Sequence, residues 1–383
     1  MGNEMEKSKQ EKERMANMEL LRCVAMLMVA ALHFLGKGNI LPPLVQESLG
    51  PAGATAWLLE SFCIVAVNLY MFISGYFLCT SSFKLSRLAG LWLQVWMYSV
   101  TLGALGILTG IVPGEEVDIH FFLTLIFPIS MDHYWFMTAY VILYLLFPFL
   151  GAAVKKMTKR QLQAAVILLF LAFSLPKSIL PLRLEIDNKG YDFLWYLCVF
   201  AAAAYVRRFG IPFLEKKGRG MLLYVCSCLL IFGCSMGLRL IFLRTGRLET
   251  RVGMFLEYNH ILPFLGAAGL FAAFCRLRIS GAFARLVNRI APFTLGVYLI
   301  HENISLRYAW QEWLGAGRIH SVAGVVLGTA AAAAAVFVCG ILLDMLRGLL
   351  MKGLDCLLSG VSIYRRQRDA IKKVDMFFST SEG

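Results

Sequence analysis

The chain has 383 residues, of which 59% are hydrophobic and only 16% charged, with a mean hydropathy of +0.68. A soluble domain carries roughly a quarter charged residues. That deficit, with repeated apolar runs of about 20 residues, excludes a soluble enzyme and predicts a polytopic membrane protein. The formal net charge of +13 does not point to nucleic acid, because the basic residues are scattered between apolar runs.

In chain order, residues 1–17 form a charged N-terminal tail, expected to be disordered and cytoplasmic. The first apolar run follows a mixed-charge start without a convincing cleavage site, so it reads as a retained helix. Ten spans are expected, near 18–35, 55–79, 88–111, 133–150, 161–176, 191–206, 221–243, 256–275, 290–306 and 321–346. Residues 18–346 then form one all-α membrane domain, with the helices around a central catalytic cavity. With both termini cytoplasmic, most of the 37 Lys and Arg fall on the inner side, which fits the positive-inside rule. His120–Pro128 is apolar but too short to cross, and reads as an outer interfacial piece. Beyond the last span, residues 347–383 read as an amphipathic segment and a basic tail on the inner membrane surface.

Arg22 and His33, in Met18–Leu35, are the most informative pair. Eleven helical steps of about 100° return to within about 20° of the starting direction, with a rise of about 16 Å. The two residues therefore share a face, and Glu19, three residues before Arg22, joins it. Ionisable groups in a membrane helix are costly and line functional cavities. Imidazole titrates nearest neutrality and suits a general base, so His33 is the catalytic candidate, with Glu19 beside it. A guanidinium near the cytoplasmic face suits phosphate, which Arg22 would bind, joined by Lys84 and Arg87 after the second span.

Other candidates follow along the chain. Ser74-Gly75-Tyr76 permits close approach of a helix or ligand, and Asn68 on the same span needs a hydrogen-bond partner in the membrane. Tyr134-Trp135-Phe136 opens the fourth span as an aromatic belt or an acceptor-stacking surface, with His133 read as interfacial. His301-Glu302-Asn303 closes the ninth span, where it could orient a hydroxyl or simply form a wet helix end. Glu257, Asn259 and His260 sit on the same side. The ten cysteines include no C-x-x-C pair, so neither a disulfide framework nor a zinc site is indicated and no metal is expected.

The ordered landmarks resemble the acyltransferase-3 family of integral membrane acyltransferases. They are Arg22 and His33 with ten residues between them, Ser74-Gly75-Tyr76-Phe77-Leu78, Tyr134-Trp135-Phe136 through Ala139-Tyr140 to Pro148, and Thr294–His301. The resemblance spans residues 18–346. It implies ten helices in a bacterial plasma membrane and transfer of an acyl group, usually acetyl, from cytoplasmic acetyl-CoA to an extracytoplasmic cell-surface carbohydrate. On this resemblance His33 is the catalytic histidine and Arg22 the first-helix arginine. The family's basic R-x-x-R motif falls on Lys84 and Arg87, where a lysine point charge replaces the first arginine. Ser74, Tyr134, Trp135, His301 and Glu302 are the residues expected at the substrate. A transporter or flippase for a glycan or lipid-linked intermediate fits ten spans and a midmembrane ionisable residue too. Such proteins often show matching halves, and none is evident here. A sensory membrane domain is the third reading.

Overall fold

A computed structural model describes residues 2–179 and 187–380 of the chain. It is 77% helical, and no strand occurs among the described residues. The helices are α1 (Gly2–Lys37), α2 (Gly50–Cys63), α3 (Ala66–Leu78), α4 (Leu85–Leu108), α5 (Ile119–Ile126), α6 (Trp135–Lys156), α7 (Lys159–Phe173) and α8 (Leu175–Ile179). They continue as α9 (Phe193–Phe209), α10 (Arg219–Thr245), α11 (Ile261–Cys275), α12 (Gly281–Ile290), α13 (Thr294–His301), α14 (Trp310–Trp313), α15 (Val322–Leu358) and α16 (Ser362–Thr380).

Among the described residues, seven segments are long and apolar enough to cross a membrane. They are Ala16–Lys37, Gly50–Leu78, Leu85–Leu108, Trp135–Lys156, Arg219–Thr245, Glu249–Cys275 and Val322–Leu358. The three other expected spans are helical but shorter. Helix α7 has 15 residues, opened by a capping box in which Thr158 and Gln161 satisfy each other's backbone N–H groups. Helix α9 has 17, capped by the Asp192 carboxylate on the Trp195 N–H at 2.9 Å. The ninth, expected at 290–306, holds a 3-10 turn at Ala291–Phe293 and the eight-residue α13, set off from α12 because Pro292 has no N–H to continue the helical ladder.

One expectation changes. The N-terminal segment, expected to be disordered, continues α1 from Gly2, in keeping with its many Glu, Lys and Met, all good helix formers. The amphipathic stretch after residue 346 continues the last span within a single helix, α15, 37 residues long. At about 1.5 Å per residue it measures about 55 Å, well beyond the roughly 30 Å apolar core of a bilayer. Helix α16 then folds back onto α4, where Asp375 accepts the Ser86 N–H at 3.2 Å and Phe378 packs on Phe83.

Large apolar side chains such as Leu108, Phe149, Leu168, Leu222, Leu327 and Leu342 are exposed on the outer faces of α4, α6, α7, α10 and α15. That is the surface an integral membrane protein offers to lipid. The interior is rich in buried aromatics, among them Phe72, Tyr134, Tyr144, Trp195 and Tyr196. Helix α1 is enclosed by α2, α3, α11, α12, α13 and α15. Asp344 on α15 is fully buried and fully partnered: it accepts from Gln94 at 3.0 Å, Tyr98 at 2.8 Å and Arg347 at 2.5 Å. It ties α4 to α15 directly over Gly296 of α13, so a buried charge here is held by its own network.

Helices α10 and α11 meet backbone to backbone. A Cβ on Gly220 would lie 2.7 Å from the Gly269 carbonyl oxygen, and one on Gly269 would lie 2.7 Å from that of Gly220. Small residues at such a contact let membrane helices approach closely. Gly269→Ala is expected to destabilise the protein by about 1–3 kcal/mol through overpacking, read as a lowered unfolding temperature in detergent. A substitution at Gly253, with open space around it, is expected to leave that temperature unchanged.

Candidate active site

A cavity of about 1110 Å³ runs along α1, which contributes Glu19, Arg22, Met26, Val29, Leu32, His33, Gly36 and Lys37 to its wall. Those positions recur at three- and four-residue intervals and so form one helical stripe. From Glu19 to Lys37 the stripe is about 27 Å long, close to the depth of a bilayer's apolar core. Ligand pockets for one small molecule occupy about 300–1,000 Å³; this one exceeds that range.

The polar groups at the Lys37 end converge on His33. Its Nδ1 lies 2.9 Å from His301 Nε2 and 3.2 Å from Glu302 Oε1. His301 Nδ1 is 2.6 Å from the Val297 carbonyl oxygen, which can only accept, so His301 carries its proton on Nδ1. In neutral His301, Nε2 is then an acceptor, and His33 must donate to it from Nδ1. Neutral His33 is left with a lone pair on Nε2, the atom a general base uses. Glu302 is held in turn by an ion pair with Lys37.

A second layer fixes this arrangement. Trp310 Nε1 donates to the His301 carbonyl at 3.1 Å, and Tyr134 donates to the Leu299 carbonyl at 2.9 Å while accepting from Asn303 at 3.0 Å. His133, read from the sequence as interfacial, is instead buried. Its Nε2 accepts the Ile304 N–H at 2.8 Å, and its ring stacks on Tyr134 at 4.0 Å. These bonds hold the segment after α13 where the chain leaves its helix.

At the other end Arg22 donates to Glu19 at 2.7 Å, with Tyr70 donating to the Arg22 carbonyl at 2.7 Å. Arg87, Asn288 and Ser74 line the same cavity. Lys84 does not: it is exposed at the start of α4, with its backbone bonded to the Tyr144 hydroxyl.

The expected site residues therefore divide. Glu19, Arg22, His33, Ser74, Arg87, Trp135 and Glu302 reach the cavity; His301 and Tyr134 stand behind it as supports, and Lys84 is outside it. Glu19 is corrected in role. Fourteen residues of helix, about 21 Å, separate it from His33, so it is the partner of Arg22 and not part of the His33 centre. The outer trio also changes: Glu257 and Asn259 pair with Lys177, which donates to Asn259 at 2.8 Å and to Asp187 at 2.6 Å. Burial raises the affinity of Asp187 for a proton, but the hydrogen bonds from Lys177 and Asn259 outweigh it and hold the group below the ordinary carboxylate range. His260 caps α11, its Nδ1 accepting the Leu262 N–H at 3.2 Å. Asn68 finds its partners in Trp195, from which it accepts, and the Tyr258 carbonyl, to which it donates, both at 2.8 Å.

Several cavity residues had not been singled out. Lys37 lies four residues beyond His33 on the same face, so the spacing that found His33 would have found it. Glu60 is a lone acid within an apolar span, a signal in itself. Tyr191, Tyr258 and Arg307 carry no sequence signal, because only tertiary packing brings them in. Gly190, with φ of +85°, is one cause: a Cβ there would lie 2.8 Å from Asn259 N and 2.9 Å from Tyr258 Cβ.

The ligand atoms of His33, His301 and Glu302 lie within 4.8 Å of one another, close enough to share a metal ion. The donor set does not fit a cation, because the Lys37 ammonium already sits on Glu302 and the two imidazoles bond each other directly.

No curated protein and no solved structure matches the chain. A family model does: that of the acyltransferase-3 family, described as an acyltransferase domain, matches residues 15–344. This range holds all the helices around the cavity, including the whole Arg22–His33 stripe and the His301–Glu302 pair. By that match the chain belongs to the acyltransferase-3 family.

Proposed function

We propose that the protein transfers an acyl group, acetyl in the simplest case, from cytoplasmic acetyl-CoA to a hydroxyl of an extracytoplasmic cell-surface carbohydrate. In this reading it sits in a bacterial plasma membrane with both termini cytoplasmic. The three shorter helical segments complete ten spans around the cavity, the broken ninth included. The observation that carries the reading is the single cavity with Arg22 and Arg87 in its wall and, about 16 Å along α1, a histidine whose neighbours leave Nε2 unprotonated.

The donor's phosphates are held by Arg22 and Arg87, with Lys84 beside the latter, and the pantetheine arm follows the α1 stripe towards His33. His33 Nε2 takes the proton of the acceptor hydroxyl as its oxygen attacks the thioester carbonyl carbon. The tetrahedral intermediate collapses by breaking the carbon–sulfur bond, and the imidazolium returns its proton to the departing thiolate. During the step the positive charge on His33 faces the Glu302 carboxylate, 3.2 Å from Nδ1, which stabilises it. His301 acts on His33 and not on substrate: by accepting from Nδ1 it fixes the ring and its tautomer.

Three outcomes test the assignment, using membranes supplied with acetyl-labelled acetyl-CoA. His33→Ala is expected to lower transfer into envelope glycans by at least about 100-fold, while the protein unfolds at the wild-type temperature. Transfer by that variant at the wild-type rate would show the histidine to be structural. Arg22→Ala is expected to raise the KM for acetyl-CoA by about 10- to 100-fold, the range for losing a charged hydrogen bond, with kcat nearly unchanged. Glu302→Gln is expected to act on kcat instead, by about tenfold or more, with donor KM preserved. Absence of label in any glycan with the wild-type protein would favour a transporter.

A further inference from the structure

Helix α16 divides its surface three ways. At about 100° per residue, Tyr364, Ile371, Asp375 and Phe378 fall on one side, and these residues are partly buried against the protein. Ile363 and Phe377 lie on the adjoining edge of the same apolar arc and are exposed. The opposite arc carries five cations, Arg365, Arg366, Arg368, Lys372 and Lys373, all exposed, with one acid among them, Asp369. Arg365, Arg368 and Lys372 follow one another at three- and four-residue spacing, where like charges destabilise a helix unless anions offset them.

The helix is held at both ends. Where it leaves α15, the Tyr364 hydroxyl donates to the Asp355 carboxylate at 2.5 Å, and Arg368 pairs with the same group at 3.5 Å. Towards its far end Asp375 accepts the Ser86 N–H at 3.2 Å, and the Phe378 ring lies 4.8 Å from that of Phe83. Phe83 packs in turn on Tyr144 at 5.4 Å. Tyr144 lines the cavity, and so does Arg87, the residue after Ser86. Helix α16 thus grips the turn of α4 that presents Arg87.

An exposed apolar edge beside a cationic arc is the pattern of a helix lying in a bilayer surface among anionic headgroups. Helix α15 supplies the continuity. Leu342, Leu346, Leu350, Leu354 and Leu357 recur at three- and four-residue intervals and are all exposed. The stripe offered to lipid therefore runs without a break to the point where α16 begins.

We propose that α16 is a binding surface for anionic lipid headgroups, and that lipid bound there clamps the first turn of α4 and with it Arg87. In the orientation given above this is the cytoplasmic leaflet. The importance of Arg87 rests on the acyl-transfer reading; the lipid contact does not.

The test is amide hydrogen exchange of the full-length protein in lipid nanodiscs holding one copy each, without acetyl-CoA. One set of discs is phosphatidylcholine alone, the other an equal mixture of phosphatidylcholine and phosphatidylglycerol. In the mixed discs residues 363–378 and the Ser86 amide are expected to exchange at least about tenfold more slowly, given five cations near the surface. The triple variant Arg366→Gln, Lys372→Gln, Lys373→Gln, which leaves the buried side of α16 intact, is expected to lose that difference. Exchange in the buried part of α3 reports on its folding. Equal rates in the two discs, a difference that survives the triple substitution, or an unchanged Ser86 amide would each overturn the proposal. The same slowing by free phosphate in discs of phosphatidylcholine alone would overturn it too, by showing an anion site in place of a lipid surface. No acetyl moves in these measurements, so equal rates leave the transfer reaction standing, and failure of transfer leaves the lipid contact standing.

Discussion

A polar stripe on a helix surrounded by lipid is untenable unless other helices enclose it, and that constraint organises this protein. Helix α1 carries Glu19, Arg22, His33 and Lys37 on one face. Hydrocarbon offers these groups no partners, so α2, α3, α11, α12, α13 and α15 close around the helix. Because the groups are spaced along nearly the full membrane depth, the enclosure is a long cavity and not an isolated pocket. The His33–His301 and Lys37–Glu302 contacts are the points where α13 and the turn after it meet this requirement.

The stripe was legible in the sequence because helical periodicity is a local property. Arg22, His33 and Glu19 follow from counting residues, and so does the apolar alternation that marks the longer spans. The ninth segment shows the limit: its apolar run predicts a span, but Pro292 breaks the ladder and leaves α13 only eight residues long. The roles of His301 and Tyr134 were not legible, because which side of a helix meets substrate and which meets another helix is a tertiary matter. The same holds for Tyr191 and Tyr258, which are far apart in the chain and joined by the close approach at Gly190. The continuation of the last span beyond residue 346 was legible too, since no proline or cap separates the apolar and amphipathic stretches before Ser359.

The site is a sequence of dependencies. Val297 sets the tautomer of His301, His301 sets that of His33, and the Glu302 carboxylate faces His33 Nδ1. The first two links are hydrogen bonds of 2.6 and 2.9 Å, and the third is an ionic contact at 3.2 Å. Asp344 contributes by fixing α13 through its contact over Gly296. The buried Asp344 carboxylate is saturated by Gln94, Tyr98 and Arg347 and so holds α4 and α15 together.

The break at Pro292 has one more consequence. Without that N–H, the Asn288 carbonyl lacks the donor four residues on, and Asn288 and Pro292 both line the cavity. Irregular backbone at membrane depth is tolerated where it is buried in protein or lines a cavity and not where it meets lipid, so the break falls on the one side of this segment where the missing bond can be borne.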